Sequence, residues 1–89
     1  MKVLYREAFL KDLKKLKGTH YYDKIKKLVF QTLPEVNSLS DVMGIKALKN
    51  AQNKYRIRVG DYRIGIKVEN DIVEVMRVKH RKEFYRYFP

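Results

Sequence analysis

The chain has no cysteine and no tryptophan, and only two histidines, two prolines and four glycines in 89 residues. Without cysteine there is no disulfide framework, no thiolate zinc site and no cysteine nucleophile. Two histidines are too few for a histidine-rich metal cage, and neither a metal nor a cofactor is expected. Scarce Pro and Gly exclude a collagen-like chain, and a hydrophobic share of 45% excludes a disordered one. The longest stretch free of charge runs from Leu28 to Pro34, far short of the roughly 20 apolar residues of a membrane span. The opening residues, Met1 to Glu7, lack the apolar stretch of a signal peptide. The expectation is a reduced, cytoplasmic protein that stays off the membrane. Residues 1–89 fit a single domain with a small core.

Acidic residues are also scarce. Ten Asp and Glu stand against 21 Lys and Arg, a formal net charge of +11. Solubility needs a net charge of only about 2 to 8, so the excess points to a polyanionic partner, nucleic acid or an acidic protein. Six of the seven arginines lie beyond residue 50, whereas the first half is basic almost entirely through lysine. A guanidinium grips phosphate with two hydrogen bonds where an ammonium acts as a hydrated point charge. Phosphate chemistry is therefore expected in the second half.

The first half reads as helical. Val3–Tyr5 can form a short strand. Phe9, Leu13 and Leu16 recur at helical spacing over Glu7–Lys17, and Gly18 is placed to end that helix. Thr19 is placed to cap a second helix, which carries Tyr21, Ile25, Leu28, Val29 and Leu33 on one face and stops at Pro34. So short a break predicts an antiparallel helical hairpin. In residues 35–53 the pattern supports only a turn at Ser38–Asp41, a short strand near Ile45–Leu48 and a loop at Asn50–Asn53.

From Lys54 the period changes to two. Lys54–Val59 alternates basic and apolar side chains, Gly60-Asp61 has the composition of a type II′ hairpin turn, and Tyr62–Val68 alternates again. Glu69–Asp71 reads as a second turn, leading to a third strand, Ile72–Val78. The first turn sets Arg58 opposite Arg63 and Arg56 opposite Gly65. A three-residue second turn would set Val68 opposite Ile72 and Arg63 opposite Arg77. Tyr55, Ile57, Val59, Tyr62, Ile64, Ile66, Val68, Ile72, Met76 and Val78 would then share the core face. Lys54, Arg56, Arg58, Arg63, Lys67 and Arg77 would share the other. Like charges directly opposite one another destabilise a sheet, so a row Arg58–Arg63–Arg77 makes sense if an anion lies across it, with Gly65 leaving a gap for a ligand backbone. The tail, His80–Pro89, interleaves Phe84, Tyr85, Tyr87 and Phe88 with His80, Arg81, Lys82 and Arg86, a mixture suited to unstacked RNA bases. Phe84 and Phe88 share one face of a short tail helix and are expected to anchor it, leaving Tyr85 free.

The run Tyr55-Arg-Ile-Arg-Val-Gly-Asp-Tyr-Arg63, followed by an apolar strand and Val78-Lys-His-Arg-Lys-Glu-Phe-Tyr85, resembles the RelE/ParE superfamily of toxins, most of all the RelE-like mRNA interferases. The resemblance spans the chain in the order β-α-α-β-β-β, with a further short helix. It implies an α+β, microbial-RNase-like fold in which the helical hairpin packs on a small, mainly antiparallel sheet. It also implies a toxin of a type II toxin–antitoxin system: an endoribonuclease that cleaves mRNA in the ribosomal A site and inhibits translation. The expected partners are mRNA, the ribosome and a cognate antitoxin, acidic and encoded adjacently. Carried over by motif, Arg56, Arg58, Arg63, Arg81 and Tyr85 are the catalytic set. Arg63 and Arg81 would stabilise the phosphorane and Tyr85 would stack on a base. Some relatives carry Lys where this chain has Arg56 and Arg58, and a guanidinium does not give up its proton. His80, counted with the catalytic set, or Lys54 would take that role. Lys54, Arg77, Lys79, Lys82 and Arg86 are the expected RNA-binding residues. Gly65-Ile66 replaces the bulky residue and tyrosine frequent in relatives. Two alternatives share the fold: a ParE-like toxin that inhibits gyrase, whose relatives generally lack the Arg81–Tyr85 pair, and a catalytically inactive RNA- or ribosome-binding module.

Overall fold

The computed structural model describes all 89 residues. The chain begins with strand β1 (Lys2–Tyr5) and helix α1 (Glu7–Lys14). Gly18, at φ +85°, turns the chain after α1. Thr19 does not cap the second helix: its hydroxyl donates backwards to the Leu16 carbonyl at 2.7 Å and closes the end of the first. The second helix, α2, is continuous but changes pitch. It runs as α-helix over Tyr22–Lys27, as π-helix over Leu28–Thr32 and as a last α turn over Leu33–Glu35. Pro34 thus lies inside the final turn rather than stopping the helix before it. In the π register the Leu33 N–H bonds the Leu28 carbonyl, and the next carbonyl, Val29, would face Pro34, which has no N–H to give. The Tyr5 hydroxyl donates to it instead at 2.6 Å.

A 3₁₀ turn (Leu39–Asp41) leads to β2 (Ile45–Ala47), and the meander follows as β3 (Lys54–Val59), β4 (Tyr62–Glu69) and β5 (Ile72–His80). A short helix, α3 (Phe84–Tyr87), ends the chain. The sheet order is β1-β5-β4-β3-β2, with β1 parallel to β5 and every other pair antiparallel. The helical hairpin covers one face, where Phe9 and Leu13 of α1 and Ile25, Val29 and Leu33 of α2 meet Ile57, Val59, Ile64, Ile66, Val73, Val75 and Val78 in one core.

The first hairpin has the expected register: Val59 faces Tyr62, Arg58 faces Arg63 and Arg56 faces Gly65, with Gly60 at φ +56°. The second hairpin differs. Its turn has two residues, Asn70 and Asp71, both at positive φ (51° and 63°), as a type I′ turn requires. Glu69 therefore faces Ile72 and Val68 faces Val73. The pairing then shifts between Gly65 and Ile66, whose partners are Arg77 and Val75, so Met76 is the extra residue of a β-bulge. The core residues of β5 are consequently Val73, Val75 and Val78, not Ile72 and Met76. Arg63 faces Lys79, and Arg77 faces Gly65. The expected row of three arginines does not form.

Candidate functional site

The face away from the helical hairpin divides into three zones. Near the β3–β4 turn, alternation from the buried Ile57 and Val59 turns Arg56 and Arg58 outward, and Arg63 joins them from β4. Backbone carbonyls orient two of the guanidiniums. Arg56 Nη1 donates to Gly44 O at 2.8 Å, and Arg63 Nη1 donates to Gly60 O at 2.9 Å and Tyr62 O at 3.0 Å. Arg81 arrives just past the end of β5, tied to the same turn by its N–H, which donates to Asp61 O at 2.7 Å. Its guanidinium lies 3.7 Å from the Asp61 carboxylate, the one acid paired with this group, and both side chains are more than half exposed. Tyr85 projects from α3 and is 63% exposed. Partial burial, followed by the charges of Arg56 and Arg58 and then of Arg81, holds the Arg63 guanidinium below its usual pKa, with Tyr85 pulling the other way. The structure thus brings Arg56, Arg58, Arg63, Arg81 and Tyr85 into one electrostatic neighbourhood. Asp61 offsets only Arg81, and the repulsion that remains among the other guanidiniums is what an incoming anion would relieve.

The middle zone is occupied by the tail. Phe84 and Phe88 are buried and anchor α3 as expected. A Cβ placed on Gly65 would lie 2.6 Å from ring carbons of Phe88, so the gap at Gly65 is filled by the protein's own aromatic ring and is not open to a ligand backbone. Lys54 sits beside that ring, its Nζ 5.9 Å from the centroid. Arg77 and Lys79 point the same way, but their charges are committed. Arg77 grips the buried Asp12 carboxylate through two bonds of 2.7 and 3.0 Å, Lys79 Nζ approaches it at 3.1 Å, and the Val78 N–H donates to it at 3.2 Å. The Tyr87 ring closes over both cations, 5.1 Å from the Arg77 guanidinium and 4.2 Å from Lys79 Nζ. Burial pushes the Asp12 carboxyl up, yet the bonds from Arg77, Lys79 and Val78 outweigh it and hold the group below its ordinary value. At the far end, Lys67 pairs with Glu69 at 3.1 Å, and Arg6 pairs with Glu74. There the face is an ordinary mixed-charge surface.

The remaining expected residues lie apart from the arginines. His80 faces Tyr62 on the helical side of the sheet, edge-on to its ring at 5.6 Å, and its Nδ1 accepts the Lys82 N–H at 3.2 Å. Lys82 and Arg86 are exposed. Two further cations, Lys46 and Lys49, stand beside Arg56 and Tyr85. They were absent from the expected set because β2 is too short to show alternation. The Ile45-Lys46-Ala47 step is the only signal for Lys46, and Lys49 lies beyond the strand in a turn.

A family model described as the ParE toxin of type II toxin–antitoxin systems, parDE, matches residues 3–85. The chain is 49% identical over 90 residues to Toxin RelE3 of Methanocaldococcus jannaschii, with 100% of both chains covered. It is also similar to a chain in the crystal structure of the RelB-RelE antitoxin-toxin complex from Methanococcus jannaschii, at 45% identity and a TM-score of 0.80, covering 97% of this chain and 99% of that one. A chain in the E. coli DinJ-YafQ complex matches at 17% identity and a TM-score of 0.74, covering 94% and 97%, a likeness of fold alone.

Proposed function

From the chain's membership of the ParE toxin family of type II toxin–antitoxin systems, we propose that it is a RelE-like mRNA interferase, a ribosome-dependent endoribonuclease that inhibits translation by cutting mRNA in the A site. The observation that carries this reading is the cluster Arg56, Arg58, Arg63 and Arg81 around the exposed Tyr85, with the Arg63 guanidinium held below its usual value. The 2′-hydroxyl oxygen of the substrate attacks the adjacent phosphorus, the bond from phosphorus to the 5′ oxygen breaks, and the products carry a 2′,3′-cyclic phosphate and a free 5′-hydroxyl. Negative charge on the non-bridging oxygens rises in the phosphorane. Fixed guanidinium donors stabilise that state more than the substrate, by about 3 kcal/mol for a well-placed donor. Arg63 and Arg81 serve this role, Arg56 and Arg58 hold neighbouring phosphates, and Tyr85 stacks on a base. Guanidinium groups do not accept the proton. Of the two groups in the chain named for that task, Lys54 stands on the arginine side of the sheet and His80 on the other. Lys82 and Arg86 extend the basic surface along the exposed RNA. The reading includes a cognate antitoxin as the protein partner, which the RelB-RelE complex of the archaeal relative supports, and the net charge of +11 suits an acidic one.

Primer extension on mRNA, with and without 70S ribosomes, tests the reading alongside Arg81→Ala and Tyr85→Ala. Ribosome-dependent cuts that disappear in both variants are the expected result. A folded protein that cuts under neither condition overturns the nuclease, and inhibition of gyrase supercoiling by that protein would establish the ParE-like alternative. Cuts on free mRNA would retain the nuclease without its ribosome dependence.

A further inference from the structure

The three-residue strand β2 pairs Lys46 directly with Arg56, so both side chains leave the sheet on the same side. The arrangement is electrostatically unfavourable, since like charges directly opposite across a ladder repel. It is also uncompensated, for neither Lys46, Lys49 nor Arg56 has an acidic partner. These three cations line a cleft of about 300 Å³ together with Leu48, Tyr85 and Pro89, and no acid lines it. The contrast with Arg77 and Lys79, which share the buried Asp12, is sharp. Asp12 supplies a carboxylate to Arg77 and Lys79, and this cleft holds none. Arg56 is already oriented by the Gly44 carbonyl at 2.8 Å, and Tyr85 offers an exposed ring against the apolar Leu48 and Pro89. Cations, a free aromatic ring and an apolar wall in a space the size of one nucleotide match a phosphate attached to a planar base.

We propose that this cleft is a nucleotide subsite flanking the scissile phosphate, with Lys46 as a further phosphate-binding residue of the RNA path. The identity of the ligand as RNA rests on the nuclease reading above. A lysine on an edge strand also discourages pairing with another sheet, but any charge meets that need, so Lys46→Glu keeps the edge protection while reversing the effect on an anion.

The test is fluorescence anisotropy with a labelled, fully 2′-O-methylated RNA hexamer, which lacks the attacking hydroxyl. Wild type, Lys46→Gln and Lys46→Glu are compared with Lys14→Gln and Lys14→Glu, matched charge changes on the exposed outer surface of α1. Circular dichroism checks each fold. Lys46→Gln is expected to weaken binding about tenfold and Lys46→Glu further, with the Lys14 variants within about twofold of wild type. Equal losses at positions 14 and 46 would reduce the effect to bulk charge and overturn the subsite, as would wild type that fails to bind the hexamer saturably. Primer extension on the same preparations separates the two readings. Lys46-dependent binding without cleavage removes the nuclease and leaves the subsite, and cleavage with Lys46→Glu binding like wild type does the reverse.

Discussion

Arg63 and Arg77 leave adjacent strands on the same face of the sheet and meet opposite surroundings. Arg63 has two backbone carbonyls and three other arginines near it and no carboxylate. Arg77 has the buried Asp12 in a two-pronged grip. On the proposed reading the first charge is left for the substrate, whereas the second is used by the fold. Arg63→Ala is expected to lower the cleavage rate about 10²- to 10³-fold with little change in melting temperature. Arg63→Lys is expected to recover only part of the loss, because an ammonium lacks the forked geometry. Single-turnover cleavage on programmed ribosomes, with thermal melts, checks both. Asp12→Asn should do the converse. It leaves Arg77 and Lys79 without their counter-ion and is expected to cost about 3 kcal/mol in urea unfolding. The pH dependence follows from the sign of the shift. The folded carboxyl lies below its usual value, so the folded state binds fewer protons, and the stabilisation is complete above about pH 4 and lost as pH falls through the folded pKa. The stability gap between wild type and Asp12→Asn should therefore narrow on acidification below about pH 4. A gap that stays constant to pH 2 would contradict this account of Asp12.

At the scale of the elements, α3 is held to the open face by two buried phenylalanines, one of them seated on Gly65. Gly65→Val leaves the main core intact and pushes a branched side chain into the Phe88 ring. The expected cost is about 1–3 kcal/mol, together with faster proteolysis of the tail and weaker RNA binding through displacement of Tyr85. Limited trypsin digestion, which can act at Lys82 and Arg86, and the same anisotropy titration measure these effects. Unchanged tail protection would mean that Phe88 does not need the glycine. The sequence made the first hairpin readable to the residue, because a two-residue turn beginning with glycine leaves one register and the alternation of Lys54–Val59 allows one orientation. It misled at the second hairpin, where Asn and Asp take the positive φ usually left to glycine and Met76 bulges out of the ladder. Met76 and Arg77 stand together between the buried Val75 and Val78, two residues where strict alternation allows one, and the apolar Met76 reads as a core position unless that break is taken as a bulge. The arginine cluster was legible because its members lie on the well-patterned strands. Asp12 was not, since an aspartate on a basic helix gives no sign that it will accept a backbone N–H from a strand 66 residues away. Lys46 was hidden for another reason, since three residues cannot display a period.

For the whole molecule the question is whether the net +11 acts as a diffuse cloud or through particular charges. A diffuse cloud would make every lysine and arginine count alike in RNA binding. The structure divides them. Arg56, Arg58, Arg63 and Lys46 crowd one end of the open face without an acidic partner, beside Arg81, which pairs with Asp61, while Arg77 and Lys79 share Asp12, Lys67 pairs with Glu69 and Arg6 with Glu74. On single-stranded nucleic acid each neutralised phosphate contributes about −0.7 to the slope of log K against log salt concentration. Five engaged cations predict a slope of about −3 to −4 for the 2′-O-methylated hexamer. Removing Arg58 should flatten that slope by about 0.7, and Arg77→Gln should leave it unchanged, because that guanidinium is held by Asp12 beneath the Tyr87 ring rather than turned to a phosphate. Titrations between 50 and 300 mM salt, at a temperature where circular dichroism shows both variants folded, decide the matter. Equal flattening by the two substitutions would mean that total charge governs the encounter and that the division of the open face is without consequence for RNA. A flattening confined to Arg58 would show that a protein with a large positive charge directs RNA through particular cations on one face rather than through its total charge.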